Sequence, residues 1–284
     1  MKNTVCIVGG DMRQIRLSEL LKKEGYTVYS LGLSEEDNDF DILRKAEIVI
    51  FPMPVSYDDV YINAPFAKRQ IAKSKVLALI PEGTFVLGGR ISEEMERELT
   101  ARGLEFEDYY SREELIVKNA IPTAEGALEI AFSEMPITIF GSKCLVTGFG
   151  RVGKVMAKKL KALEADVTVS ARKYADFAWI EEAGIKPIHT EDLPLFVEKY
   201  DLIVNTVPAM LLTEEILKRV KENALIIDLA SKPGGVDFSA AKRLNKNVIW
   251  ALSLPGKTAP ITAGDIIKEA VVNILSERRQ EGWT

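Results

Sequence analysis

The stretch Leu145-Val146-Thr147-Gly148-Phe149-Gly150-Arg151-Val152-Gly153 constrains this chain more than any other. Apolar residues lead into the first glycine, and Val152, Val155, Met156, Leu160 and Leu163 then recur at helical spacing. That is a strand, a tight glycine turn and a helix start. In such a turn Gly148 permits the bend, Gly150 lets a pyrophosphate approach the backbone, and Gly153 lets the helix lie close to the strand. Exposed N–H groups and the positive helix end then hold the anion. Phe149, Arg151 and Val152 complete the expected contact set. The motif lies near the middle of 284 residues, so another domain precedes it.

A chain of this length is comfortable with two cores. Its 47% apolar content is that of an ordinary globular protein. A net charge of −5 gives no case for nucleic acid, although one local pocket can still be basic enough for a small acidic molecule. Cys6 and Cys144 fall inside apolar strand patterns and read as buried thiols of a reducing cytoplasm. They have no metal-ligand spacing, so no metal is expected. No signal-like stretch follows Met1-Lys2, and no run has the length of a membrane span. The expected location is cytoplasmic, away from membranes.

In the first half, Thr4–Val8, 26–31, 48–51, 76–80 and 104–108 read as short strands. A helical face with Ile15, Leu17, Leu20 and Leu21 follows the first, and a helix with Met95 and Leu99 precedes the last. Residues 124–133 read as a connecting helix, capped by Thr123 and closed by Pro136. The second half continues as strands at 144–147, 167–170, 186–188, Leu202–Asn205, Leu225–Asp228 and 248–251. Residues 261–278 form a long closing helix, with Thr262 as its cap. The expected class is α/β: two doubly wound parallel-sheet domains, the second a Rossmann NAD(P)-binding domain. The expected boundaries are 1–122 for a substrate domain, 123–136 for the interdomain helix and 137–260 for the Rossmann domain. Residues 261–284 remain for a helix that packs back on the first domain or on a partner.

NAD-specific folds usually end the second strand on an acid that bonds the ribose 2′-hydroxyl. Here Ser170-Ala171-Arg172-Lys173 stands there instead. A hydroxyl and two cations suit a 2′-phosphate, so NADP is preferred and NAD is second choice. The plainer alternative is a solvated loop with Arg172 stacked over the adenine. Asn205-Thr206-Val207-Pro208 and the turn from Asp228 through Ser231 to Gly235 follow the fourth and fifth strands, at the edge where such ligands gather. Both also read as plain turn chemistry.

Substrate groups are expected from strand ends of the first half and from loops past the fifth strand of the second. Gly10-Asp11, with Arg13, is a glycine turn at a helix start and suits a carboxylate. Thr123 and Glu125 open the connecting helix, where they also read as a cap and a dipole partner. Lys257, between the last strand and the closing helix, suits an anion or proton transfer. Glu125 and Asp228 are weaker candidates for a base. The single histidine, His189, follows the third strand of the second half and falls on the adenine side.

Gly9-Gly10-Asp11-x-Arg13, Pro122-Thr123-Ala124-Glu125-Gly126-Ala127, the Gly148–Gly153 turn and Gly256-Lys257-x-Ala259-Pro260-x-Thr262-Ala263-Gly264 together resemble the family of the dipicolinate synthase A-subunit. The likeness runs over nearly the whole chain. More distantly, the layout is similar to adenosylhomocysteinase, alanine dehydrogenase and the 2-hydroxyacid dehydrogenases. The resemblance implies NADP-dependent oxidation of a dihydrodipicolinate to pyridine-2,6-dicarboxylate, in the mother-cell cytoplasm of a sporulating bacterium. It also implies a flavoprotein-like partner, the B-subunit of dipicolinate synthase, and an oligomer. Arg13 would then anchor one carboxylate of the small diacid, and Lys257 the other. Two alternatives stay open. One is a cofactor-binding protein whose partner performs the chemistry. The other is a dehydrogenase for another small carboxylate.

Overall fold

The computed structural model describes residues 3–280 and 282 and divides into two compact units. The first holds residues up to Asn119 and those from Ala259 onward; the second runs from Ala120 to Thr258. The first unit contains β1 (Thr4–Val8), α1 (Met12–Lys23), β2 (Thr27–Leu31), β3 (Ile48–Ile50) and α2 (Lys73–Leu79). It continues with β4 (Phe85–Gly88), α3 (Glu93–Ala101), β5 (Phe106–Asp108) and the first turns of α4 (Glu113–Glu134). The second unit contains β6 (Lys143–Thr147), α5 (Arg151–Ala162), β7 (Asp166–Ala171), α6 (Tyr174–Glu182), β8 (Lys186–His189) and α7 (Leu193–Phe196). It ends with β9 (Leu202–Asn205), α8 (Glu214–Arg219), β10 (Leu225–Asp228), α9 (Phe238–Arg243), β11 (Asn247–Trp250) and α10 (Leu254–Thr258). The long α11 (Pro260–Gln280) belongs to the first unit.

Both sheets are parallel. The first has the order β2-β1-β3-β4-β5, the second β11-β10-β9-β6-β7-β8. These are the two common doubly wound orders, with reversals at β1/β3 and β6/β9. Apolar residues cover both faces. In β1, Val5 and Ile7 join one core cluster, while Cys6 and Val8 join the other. In β6, Cys144 and Val146 face one cluster and Leu145 the opposite one. Strands buried on both sides read as continuous apolar runs, which is why sequence shows them.

Helix α11 completes the core of the first unit. Its Ile267, Val271, Ile274 and Leu275 are buried in one cluster with Leu17 and Leu21 of α1. Gly264 makes the approach close, since a Cβ there would lie 2.8 Å from the Arg13 carbonyl oxygen. Arg16–Asp265 and Arg112–Glu277 ion pairs line the rim at 2.7 and 2.6 Å. Exposed pairs of this kind add little stability, so burial holds the helix.

Three local expectations are corrected. Residues 76–80 are not a strand: Val76 and Leu77 lie in α2, and the strand is Phe85–Gly88. A short apolar run bounded by Pro81 does not distinguish the two. The connecting helix starts at Glu113, so Thr123 is no cap and Pro122 sits inside the helix. Helix α11 starts at Pro260, a position that tolerates the missing N–H, which places Thr262 inside the first turn. Among the described residues no helix is long and apolar enough to cross a membrane.

Candidate functional site

Each unit has a glycine turn between its first strand and first helix, and the two differ where an anion would sit. In the first unit Asp11 caps α1. Its carboxylate accepts the Arg13 N–H at 3.0 Å, its own N–H goes to Gln14 Oε1, and the Gly10 N–H goes to the Asn63 carbonyl. The buried Arg13 guanidinium is clasped by Asp11 at 2.9 to 3.2 Å and donates to the Met53 carbonyl at 2.6 Å. Burial opposes its charge, and hydrogen bonding and attraction from Asp11 more than restore it, so the pKa rises. The carboxylate site expected from Gly10, Asp11 and Arg13 is thus filled from within the chain. An Asp before a helix reads the same in sequence whether its oxygens face the helix or leave room for a ligand.

The second turn is open. Gly148 has φ +89°, and a side chain on Gly153 would overlap the Gly148 carbonyl oxygen, so α5 lies tight against the turn. Gly150 has an ordinary φ of −76°, and a Cβ there would meet nothing within 4 Å. No side chain caps α5. The first turn of a 12-residue helix therefore opens onto space at the β6/β9 reversal. This arrangement fits a diphosphate. Phe149 is half-buried with Lys154 Nζ 5.3 Å above its ring, and Arg151 is exposed beside half-buried Val152.

Behind the turn, the register aligns Thr147, Asn205 and Asp228 at the carboxyl ends of β6, β9 and β10. All three are fully buried. Thr147 Oγ1 donates to Asn205 Oδ1 at 2.5 Å, and Asn205 Nδ2 donates to Asp228 Oδ1 at 2.8 Å and to the Val207 carbonyl at 3.1 Å. The N–H groups of Ala230 and Gly235 donate to Asp228 at 3.0 and 2.8 Å. Thr206 Oγ1 donates to the Thr147 carbonyl at 2.7 Å. The network fixes both candidate loops: Asn205 through Pro208, and 229–235 with exposed Ser231. Asp228 is a correction. With its oxygens spent on three N–H donors inside the fold, it frames the loop and does not act as an open base. Sequence pattern does not single out Thr147 or Gly235. The paired glycines were the available signal, since a Cβ on Gly235 would overlap the Asn205 amide.

Ser170 is a second correction. It is fully buried inside β7, with its hydroxyl enclosed and unpartnered, so it does not reach a 2′-phosphate. The strand runs one residue further than expected, to Ala171. Arg172 and Lys173 are exposed beyond it, without a described ion pair. Glu125 lies within α4, exposed, and pairs with Lys159 at 2.7 Å. Lys257 is exposed in the last turn of α10 and has no described partner. His189 ends β8, an edge strand two places from β6. Among the described residues no group of three or more His, Cys, Asp or Glu could hold a metal.

Residues 4–110 match the family described as the N-terminal domain of the dipicolinate synthase A-subunit. Residues 123–246 match the D-isomer specific 2-hydroxyacid dehydrogenase, NAD binding domain. The chain is 30% identical to the dipicolinate synthase A-subunit of Bacillus subtilis (strain 168), over 98% of this chain and 97% of the relative. Among solved structures, that of the dipicolinate synthase A-subunit from Bacillus subtilis is 29% identical with a TM-score of 0.89, covering 99% of this chain and 98% of that one. Its counterpart from Bacillus halodurans is 28% identical with the same score, covering 96% and 97%.

Proposed function

The chain belongs to the family of the dipicolinate synthase A-subunit, and on that premise we propose that it oxidises a dihydrodipicolinate to pyridine-2,6-dicarboxylate with NADP as acceptor. The open, uncapped glycine turn at Gly148–Gly153 carries the reading. A bound oxidised nicotinamide supplies the hydride acceptor, and the substrate also gives up a proton as its ring becomes aromatic. The chain itself binds and orients. First-turn N–H groups of α5 hold the diphosphate, and the Thr147–Asn205–Asp228 network holds the loops that flank the nucleotide. Lys257, exposed and without a described partner, is a cation for a carboxylate, and the released proton passes to water. A flavoprotein-like second protein, oligomeric assembly and action in the mother cell belong to the same proposal.

The test supplies dihydrodipicolinate and NADP to the chain, alone and with its flavoprotein-like partner, and follows absorbance of the reduced nicotinamide. Growth of that band supports the proposal. Dipicolinate formed without it places the chemistry on the partner.

Cofactor choice has its own variant. Arg172 and Lys173 are cations at the end of β7, where an acid would repel a 2′-phosphate. Losing one charge-assisted contact costs about 1.5 to 3 kcal/mol, roughly 10- to 100-fold. Arg172→Ala is therefore expected to weaken NADP by that factor and to leave NAD nearly unchanged, as read by calorimetry. Equal losses for both nucleotides would mean that Arg172 does not read the phosphate.

A further inference from the structure

The carboxyl edge of the first sheet carries an arginine that the expected site did not include. Arg90 follows β4 in the turn Gly88-Gly89-Arg90-Ile91. Its φ is +59°, a left-handed conformation that a bulky side chain rarely adopts. Asp108 holds it there: its oxygens accept the N–H groups of Arg90 and Ile91, each at 3.0 Å, and that of Tyr110 at 2.8 Å. The carboxylate is thus spent on the turn.

The turn is also held against its neighbour. Gly89 donates its N–H to the Pro52 carbonyl at 3.2 Å and accepts the Val55 N–H at 3.1 Å. A Cβ on Gly89 would lie 2.5 Å from Met53 Cβ and 2.7 Å from the Tyr109 ring, so the turn lies flat on the loop after β3. Arg13 in turn fixes that loop through the Met53 carbonyl. Two loops beside the β1/β3 reversal therefore form a rigid ledge, and ligands of open parallel sheets gather at that edge.

From this ledge the guanidinium is exposed. It passes 5.4 Å from the centre of the Tyr110 ring and makes no described hydrogen bond or ion pair. Arg13 and Arg112, by contrast, have their donors occupied by carboxylates. Arg102 is exposed too, but it follows α3 and leads into β5, at the opposite edge. A strained residue kept where glycine would sit without strain points to use of its side chain. The fork has five N–H donors and matches a planar carboxylate.

We propose that Arg90 binds a carboxylate of the substrate on the first unit, in the place sequence pattern gave to Arg13. The inference rests on the diacid reading above. Arg90→Gly tests it, because glycine takes positive φ freely. The full chain, with oxidised NADP present, is titrated calorimetrically with pyridine-2,6-dicarboxylate and separately with glutarate. Arg90→Gly is expected to weaken pyridine-2,6-dicarboxylate about thirtyfold while its melting temperature stays level or rises. Arg90→Lys, which keeps the charge and loses the fork, is expected to fall between. Arg97→Ala, whose guanidinium pairs with Glu93 on the surface of α3, is the control and should bind as the parent does. Equal binding by parent and Arg90→Gly overturns the proposal and leaves the diacid reading standing. Arg90-dependent binding of glutarate alone keeps the site and overturns the choice of substrate. No binding of either diacid by the parent overturns the site.

Discussion

Gly150→Val is expected to weaken nicotinamide-nucleotide binding by about a hundredfold or more, with little change in melting temperature. The backbone at Gly150 has φ −76° and ψ −164°, which any residue adopts. A Cβ there meets nothing within 4 Å, so the fold accommodates the side chain. The added methyl groups instead occupy the space over the first turn of α5, which a diphosphate needs. Gly153→Ala should behave in the opposite manner. Its methyl group would overlap the Gly148 carbonyl, a backbone atom that cannot rotate away. Helix α5 would have to lift from β6, at a cost of about 1 to 3 kcal/mol. Thermal melts and calorimetric titration of the two variants separate the effects. A folded Gly150→Val chain that binds nucleotide as the parent does would place the diphosphate elsewhere.

Asp228→Ala is expected to cost about 3 to 5 kcal/mol, the largest stability loss among these variants. Asp228 is fully buried, and its carboxylate takes N–H donors from Asn205, Ala230 and Gly235. Alanine leaves all three donors without that acceptor, where water has no ready access. Asp228→Asn keeps the volume but turns an N–H toward donors, so it should also destabilise, by less. At about 2 to 4 °C per kcal/mol for a chain of this size, the alanine variant should melt roughly 10 °C lower. Urea denaturation gives the same comparison as a shifted midpoint. If instead the alanine variant keeps its stability and loses turnover, Asp228 is an exposed chemical group and the network reading is wrong.

The second unit was legible almost strand by strand. Leu202–Asn205 and Leu225–Asp228 lie where their apolar runs place them, because strands covered on both faces leave an unbroken signal. The glycine turn was legible because its spacing carries the steric needs of Gly148 and Gly153, while Gly150 leaves open space between them. What stayed hidden depends on side-chain direction or on partners distant in sequence. Residues 76–80 carry no periodicity that separates a buried helix from a strand. Ser170 looks like the hydroxyl that closes its strand toward the ligand until the register shows β7 continuing to Ala171. Asp11 looks like a free backbone donor, and Asp228 like a free carboxylate, until their partners within the fold are located. Arg90 gave no pattern at all. Its φ and its Asp108 support, 18 residues along the chain, exist only in the folded unit.

One calorimetric titration bears on the whole scheme. The folded parent chain, shown intact by its thermal melt, is titrated with oxidised NADP and, in parallel, with oxidised NAD. If the amides at the start of α5 grip a diphosphate and the cations after β7 meet a 2′-phosphate, both nucleotides should saturate one site and NADP should bind more tightly. A flat trace with both would contradict it.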